Sequence, residues 1–193
     1  MAYDSQATKD RILAAAAAEF AEHGVAGARV DRIAAAASAN KRAIYEYFGD
    51  KNALFGAVLQ QLMGELAAAV PPDGEDLGDY AGRLFDYHQQ HPQTLRLLLW
   101  EALELGDDPV PDEPGRTRHY QAKIRSAADA DSGRGDTEAR TLLFFTLGLV
   151  GWTLAMPQLR RMILDPGTDD PRPLRAAVVA AVRALATANQ SRH

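Results

Sequence analysis

The sequence contains no cysteine, which excludes disulfide bonds and thiolate metal sites. This absence also favours a reducing compartment, and we expect the protein to be cytoplasmic. Long hydrophobic runs are missing as well, because the longest apolar stretch, 147–156, is interrupted by two glycines and a threonine and is too short to cross a bilayer. The first residues have neither a basic segment nor a leucine-rich core, so we expect no signal peptide and no membrane partner.

An excess of positive charge is also lacking. The formal net charge is −5, which argues against nonspecific polyanion binding as the task of the whole chain. Residues 1–55 carry seven basic and seven acidic residues, so the acidic excess lies in residues 56–193. Any contact with nucleic-acid phosphates must therefore come from a few local basic residues.

Motifs of catalysis and cofactor binding are absent. No serine lies in a nucleophile-elbow context, and no glycine-rich phosphate loop is found. His88 and His91 have a spacing that some metal sites use, but no third ligand follows at a recognisable distance. We therefore predict no metal, no cofactor and no enzymatic activity, with a small helical enzyme as the weaker alternative.

Apolar residues recur with helical spacing almost throughout, and no stretch alternates as a strand does. A first helix is predicted at about 8–23, ending at Gly24, and a second at about 30–36. Residues 37–39 then turn the chain into a third helix after Asn40, which is the spacing of a helix-turn-helix unit. Further helices are predicted at about 50–70, 77–90, 92–105, 116–130, 137–154 (with a kinked continuation past Pro157) and 173–188. The prediction is an all-α fold of about nine helices.

The third helix, about 41–48, separates a buried face from an outward face. At about 100° per residue, Ile44 and Phe48 lie on one narrow side and are expected to hold the helix against the first two. The outward residues are Arg42, Tyr45, Glu46 and Tyr47. Such a helix suits a major groove, although any all-helical protein can contain short helices joined by tight turns.

A set of spaced residues resembles a known pattern. It comprises Thr8-Lys9-Asp10-Arg11-Ile12-Leu13, Ala16, Phe20, Gly24, Ile33-Ala34, Ala37, Ile44-Tyr45, Phe48, Lys51 and Leu54. With these residues, about a quarter of the chain resembles the DNA-binding domain of the TetR family of bacterial transcriptional regulators. The resemblance implies a DNA-binding domain at 1–50 and an effector-binding and dimerisation domain at 51–193. It also implies a dimeric, ligand-responsive repressor of a near-palindromic operator.

Three departures from the family pattern concern possible phosphate contacts. The family commonly has threonines before the second helix, where this chain has Ala28-Arg29. It commonly has Gly-Val-Ser in the turn and Gly-Thr in the third helix, where this chain has Ser38-Ala39-Asn40 and Arg42-Ala43. The lost hydroxyls remove some usual phosphate donors, and the added arginines are candidates to replace them.

Candidate DNA contacts follow from the outward face and from the resemblance. Arg42 is the candidate for base reading, because its planar fork can bond O6 and N7 of guanine together. Glu46 can accept from cytosine or repel phosphates in wrong registers, and Tyr45 and Tyr47 are candidates for phosphate contacts. Lys51 lies in the first turn of the fourth helix, where free N–H groups also favour a phosphate. The weaker candidates are Arg29, Asn40, Lys41 and Ala43, which can equally be ordinary surface residues.

Two stripes of apolar residues are candidates for a dimer interface that resembles the family's four-helix arrangement. They comprise Leu143, Leu147, Val150, Gly151 and Leu154, and then Leu174, Val178, Ala181, Val182 and Leu185. The alternative is that these stripes pack inside the monomer. Aromatic candidates for an effector cavity are Phe85, Trp100, Tyr120, Phe144 and Trp152, although such residues are more often core. A protein-interaction module without DNA binding remains the alternative function.

Overall fold

The computed structural model describes residues 5–71, 76–129, 135–164 and 170–190, and every regular element in these ranges is an α-helix. The helices are α1 (Ser5–Gly27), α2 (Val30–Ala36), α3 (Lys41–Phe48), α4 (Lys51–Ala69), α5 (Leu77–Gln90), α6 (Pro92–Leu105), α7 (Glu113–Asp129), α8 (Asp136–Ala155), α9 (Pro157–Ile163) and α10 (Arg172–Gln190). The all-α prediction is confirmed. No single helix in these ranges has the length and apolar composition to cross a membrane. Helices α8 and α9 have that length and composition only when they are counted together, and an 84° bend separates them.

Three helix starts differ clearly from the prediction. Helix α1 begins at Ser5 rather than near residue 8, and Thr8 is buried within the helix instead of capping it. Proline explains the other two differences. The chain bends at Met156, and Pro157 begins α9 as a separate helix, which raises the number of described helices from nine to ten. Helix α7 begins at Glu113 rather than near residue 116, with Pro114 in its first turn. A first turn has unpaired N–H groups in any case, so proline fits there at no cost in hydrogen bonds.

The helices form two compact units. The first unit consists of Met1–Leu66 and Pro92–Asp112, and the second consists of Ala67–His91 and Glu113–His193. Helix α4 therefore begins in the first unit and ends in the second. The predicted division at residue 50 is a functional one, and it stays a prediction.

The core of the first unit joins the predicted three-helix head, α1 to α3, to residues from α4 and α6. Its fully buried side chains include Ile12, Phe20, Ile33, Ile44, Leu54, Leu59 and Leu97. The rings of Phe20 and Phe55 meet edge to face with centroids 5.1 Å apart. Burying one such aliphatic or aromatic side chain contributes about 1.5–3 kcal/mol, so this shared core is a main source of the unit's stability.

Gly24 marks a break within α1. Its backbone has φ 66° and ψ 178°, outside the helical region, at the position where the sequence predicts the helix to end. The ring of Trp100 on α6 lies 3.0 Å from where a Cβ on Gly24 would stand. Glycine is required at this position for two reasons. The positive φ is strained for other residues, and the indole ring occupies the space that a side chain would need.

The second unit is built around α8, which packs against α5, α7 and α10. Its buried residues include Ala81, Leu84, Phe85, Ala139, Leu142, Val150 and Val182. Two ion pairs fasten α10 to α5: Arg175 Nε lies 2.8 Å from Asp86 Oδ1, and Arg183 Nη2 lies 2.7 Å from Asp79 Oδ1. Both pairs are partly exposed, so apolar packing rather than charge is the main stabilising force.

Replacing Gly24 with alanine tests the contact between α1 and α6. We expect Gly24→Ala to lower the free energy of unfolding by about 1–3 kcal/mol, because the new Cβ meets the Trp100 ring and positive φ is strained. Equilibrium urea denaturation measures the change. Gly27→Ala is the matched control, since a Cβ there stands 3.4 Å from His23 Cβ, an ordinary contact. Equal midpoints for the two variants would contradict this account.

Candidate nucleic-acid interface

The turn between α2 and α3 is tied to the end of α2 by backbone hydrogen bonds. Ala37 N–H donates to Ile33 O and Ala39 N–H donates to Ala34 O, both at 2.9 Å. Ser38 between them has φ 49°, which is the left-handed region. This three-residue turn fixes the direction in which α3 leaves α2.

Helix α3 begins and ends at the predicted residues. The Asn40 side-chain oxygen accepts from the Arg42 N–H at 2.8 Å, which makes Asn40 the N-cap. At the other end Gly49 has φ 86°, and its N–H donates to Tyr45 O at 2.8 Å. The cap uses one of the two lone pairs of the Asn40 oxygen, and the amide N–H groups of Asn40 are donors for the predicted DNA contact.

Burial of Ile44 decides which side of α3 faces outward. Ile44 is 2% exposed, and Phe48 is partly buried against the same core. Arg42 and Glu46 lie on the opposite side, with their side chains 85% and 60% exposed. Arg42 Nε donates to Glu46 Oε1 at 2.7 Å across one helical turn. An exposed pair of this kind contributes about 0.3–0.5 kcal/mol, so Arg42 can leave Glu46 at little cost.

The two tyrosines of α3 differ in exposure. Tyr45 is exposed, whereas the ring of Tyr47 is partly buried against the core and lies edge to face with Phe48 at 6.3 Å. The ammonium of Lys9 on α1 lies 5.2 Å from the Tyr47 ring centroid. Lys9 thereby brings a cation beside α3 that sequence reasoning missed, because the two residues are 38 positions apart and no local spacing links them.

Lys41 and Ala43 complete the predicted set on α3. Lys41 Nζ lies 2.8 Å from Asp31 Oδ1 on α2, and this hydrogen bond raises the pKa of Lys41. The pair joins the two helices of the helix-turn-helix unit across the turn. Ala43 is partly buried, so it offers at most a small apolar contact.

Glu19 on α1 organises the start of α2. Its Oε1 accepts from the Arg29 N–H and from Arg32 Nε, each at 2.8 Å. The hydrogen bond from the Arg32 side chain is the main cause that lowers the pKa of Glu19. Arg29 is anchored here through its backbone N–H, and its exposed side chain is available for a phosphate.

Lys51 has contacts inside the chain that the sequence did not predict. Its ammonium donates to Ala26 O at 3.3 Å and to Ala28 O at 3.5 Å, at the end of α1. Asp50 Oδ1 accepts from Ala53 N–H at 2.8 Å and caps the first turn of α4. Lys51 therefore links α4 to α1, and its phosphate contact stays a prediction that would use its remaining N–H donor.

The predicted dimer residues divide into two groups. Four of them are buried inside the second unit, namely Leu143, Val150, Val178 and Val182. Six keep exposed or partly exposed surface, namely Leu147, Gly151, Leu154, Leu174, Ala181 and Leu185. For the first group the structure favours packing within the monomer, because a side chain already in the core has no surface left for a partner.

The predicted aromatic residues of the effector cavity are not brought together. Trp100 packs on Gly24 in the first unit, and Phe85 is fully buried in the second. Phe144 and Trp152 are 72% and 59% exposed, which suits a contact surface better than a cavity wall. Tyr120 is partly buried beside a buried lysine.

A cleft of about 370 Å³ lies in the first unit and is lined by none of the five aromatics. Its walls come from α1, α4 and the start of α6, namely Leu13, Ala14, Ala17, Ala18, Val58, Gln61, Leu62, Glu65 and Gln93. In the described part of the chain, no three histidine, aspartate or glutamate side chains are grouped to hold a metal ion.

Comparison with known proteins places these features in a family. Residues 12–58 match the family model for bacterial regulatory proteins of the tetR family, and residues 76–184 match the tetracyclin repressor-like C-terminal domain. The HTH-type transcriptional repressor SCO4008 of Streptomyces coelicolor is 44% identical over 190 residues, which is 95% of this chain and 97% of that protein. The repressor NicS of Pseudomonas putida is 33% identical over 112 residues, covering 54% of this chain and 53% of NicS.

A solved structure agrees with the sequence relatives. The crystal structure of a putative transcriptional regulator SCO4942 from Streptomyces coelicolor superposes with a TM-score of 0.78 at 33% identity, over 92% of this chain and 97% of that one. Members of this family bind operator DNA, dimerise and bind small-molecule effectors. The chain belongs to the TetR family of bacterial regulatory proteins and is a DNA-binding transcriptional regulator, not an enzyme.

Proposed function

We propose that this protein is a repressor that binds a near-palindromic operator as a homodimer and is released by a small-molecule effector. The observation that carries the proposal is the outward face of α3, where Arg42, Tyr45 and Glu46 are exposed on a helix held down by Ile44. A helix of this width enters a major groove, and its outward side chains meet base edges and phosphates. The relatives named as repressors support the sign of regulation.

Arg42 reads a base and the surrounding residues position it. The Arg42 guanidinium exchanges Glu46 for O6 and N7 of a guanine, and Glu46 is then free to accept from a cytosine. Phosphate contacts come from Tyr45 on α3, Lys9 on α1 and Arg29 immediately before α2. Because the chain as a whole carries a net negative charge, these few local groups must supply the electrostatic attraction to the duplex.

Dimerisation uses an exposed apolar face of the second unit. Phe144 and Trp152 on α8 are largely exposed, and a Cβ on Gly148 between them would meet nothing within 4 Å. Large apolar side chains beside an open glycine offer a surface onto which a partner helix can pack closely. Leu185 and Ala181 on α10 add exposed apolar surface. The interface therefore uses the six predicted residues that keep surface, together with Phe144 and Trp152.

Release of the operator is a population shift. The effector binds the second unit and prefers a conformation in which the two heads stand too far apart for adjacent major grooves. It weakens operator binding only by its differential affinity for the two conformations. The proposed DNA-binding domain, residues 1–50, then carries α1 to α3, and residues 51–193 carry effector binding and dimerisation.

Removing Arg42 tests the base-reading role. We expect Arg42→Ala to weaken binding of the selected operator by about 1–3 kcal/mol and to flatten sequence preference, because a guanine contact is lost. Selection from random duplexes followed by fluorescence anisotropy measures both effects. Arg140→Ala is the matched control, since Arg140 forms the same kind of exposed pair with Asp136 on α8, also at 2.7 Å. Unchanged preference in Arg42→Ala would exclude this role.

A charge on the exposed face of α8 tests the dimer. We expect Trp152→Glu to weaken dimerisation by about 3 kcal/mol or more, because an unpaired carboxylate would be buried at the interface. Light scattering with size-exclusion chromatography measures the mass at several protein concentrations. Leu103→Glu is the control, since Leu103 is an exposed apolar residue on α6 of the first unit. A Trp152→Glu protein that stays dimeric at all concentrations would show that this face is not the interface.

A further inference from the structure

A buried polar cluster lies in the second unit, between α5 and α7. At its centre Lys123 is only 5% exposed, and its ammonium donates to Tyr80 Oη at 2.6 Å. The same ammonium lies 5.0 Å from the Tyr80 ring centroid and 5.9 Å from that of Tyr120. We call Lys123, Tyr80, Tyr120, His88 and His119 the Lys123 cluster.

The charge of Lys123 lacks a counter-ion in the ranges that the structure describes. Among the described residues no carboxylate forms an ion pair with it, and only one of its three N–H donors has a hydrogen-bond partner, the Tyr80 hydroxyl. Burial is the cause that lowers the pKa of Lys123 to about 8. A buried, unpaired cation is costly, and folded proteins rarely keep one without a use for it.

Two histidines beside Lys123 also have unused polar atoms. His88 Nδ1 and His119 Nε2 are buried and have no hydrogen-bond partner among the described residues, and His88 is only 6% exposed. His119 lies one helical turn before Lys123 on α7. Burial, with the charge of Lys123 next, lowers the pKa of His88 to about 4 and also lowers the pKa of His119. His88 is therefore neutral at pH 7, and its unpaired nitrogen can donate or accept one hydrogen bond.

We propose that the Lys123 cluster binds the acidic group of the effector, and that the effector is a small organic anion with a carboxylate or phenolate on an apolar body. This inference rests on the proposed function, since it names the class of ligand that releases the operator. The anion supplies the missing counter-charge to Lys123 and accepts from its free N–H donors. His88 and His119 complete the contacts as neutral donors.

Charge selects this class over the alternatives. A cationic ligand would place a second positive charge beside Lys123 in a buried site, where repulsion between charges is strong. A neutral ligand could accept a hydrogen bond from the ammonium but would leave its charge without a counter-charge. An anion accepts the same hydrogen bond and also supplies the counter-charge, so donor and acceptor are both ionised. Arg83 and His91 also act on the cluster electrostatically, and both carry or can carry positive charge.

Matched carboxylates and amides test the proposal on the full chain. The probes are benzoate and benzamide, phenylacetate and phenylacetamide, and hexanoate and hexanamide, measured by calorimetry and thermal shift. We expect at least one carboxylate to bind about tenfold or more tightly than its amide. In Lys123→Met, which keeps the length and apolar stem of the side chain, this difference should vanish. Equal binding within all three pairs, or a difference that survives in Lys123→Met, would overturn the inference.

A second variant tests the proposal even if Lys123→Met does not fold. Tyr80→Phe keeps the ring beside Lys123 and removes only the hydroxyl, so the ammonium gains a free donor. We expect Tyr80→Phe to retain the preference for the carboxylate over its amide. Loss of that preference in a folded Tyr80→Phe protein would contradict a site centred on the Lys123 charge.

The pH dependence of binding gives an independent readout. Because the protonated amine carries the charge and its pKa is lowered to about 8, carboxylate affinity should fall as pH rises through about 8. The other titratable or charged groups that act on the cluster are Tyr80, whose pKa is raised by burial, Tyr120, Arg83, His88, His91 and His119. His88 does not titrate in this range, since its pKa is about 4. Affinity that is constant from pH 7 to about 9.5 would contradict the proposal.

Operator binding separates this inference from the proposed function. If the chain binds an operator but shows no carboxylate preference, the proposed anion site is wrong and the proposed regulatory function is retained. If the carboxylate preference is present and lost in Lys123→Met while no operator is bound, the anion site stands and the proposed regulatory role is wrong.

Discussion

The orientation of α3 depends on the burial of Ile44 against the helices of the head. Burial of that side chain contributes about 1.5–3 kcal/mol, whereas the exposed pair of Arg42 and Glu46 contributes about 0.3–0.5 kcal/mol. Packing therefore decides which residues face outward, and the polar side chains adjust to the surface that packing leaves. The Asn40 cap and the Gly49 stop limit the helix to eight residues, so that a single buried position orients the whole element.

The head is not independent of the rest of the first unit. Leu97 on α6 is fully buried in the same core as Ile12 and Ile33, and Trp100 occupies the space beside Gly24. Lys51 ties the start of α4 to the carbonyl groups at the end of α1. A helix some fifty residues later in the chain is thus part of the structure that presents α3. The compact unit is larger than the segment proposed to contact DNA, so the compact division of the chain differs from the proposed functional division at residue 50.

Local signals in the sequence predicted most helix bounds, and α3, α5 and α6 have the predicted bounds because glycine, proline and caps mark their ends. The direction of α8 could not be predicted in the same way. That helix carries apolar residues on nearly every side, so the periodicity offers no single buried face. Leu143 and Val150 were expected at a partner surface and lie in the core, whereas Phe144 was expected in a cavity and is exposed. Only packing against α5, α7 and α10 chooses between these faces.

Solvent screens the exposed cations of the head, whereas the buried cation of the second unit is screened far less. Arg42 and Lys41 each pair with an exposed carboxylate, and such pairs exchange for phosphates at little cost in water. Lys123 has no carboxylate partner in the described part of the chain, and water cannot screen its charge inside the unit. The sequence around Lys123 did not predict its burial, because its partner Tyr80 lies 43 residues away and a buried lysine has no local sequence pattern. Operator contacts should therefore weaken steeply with salt, while an anion at Lys123 is screened far less.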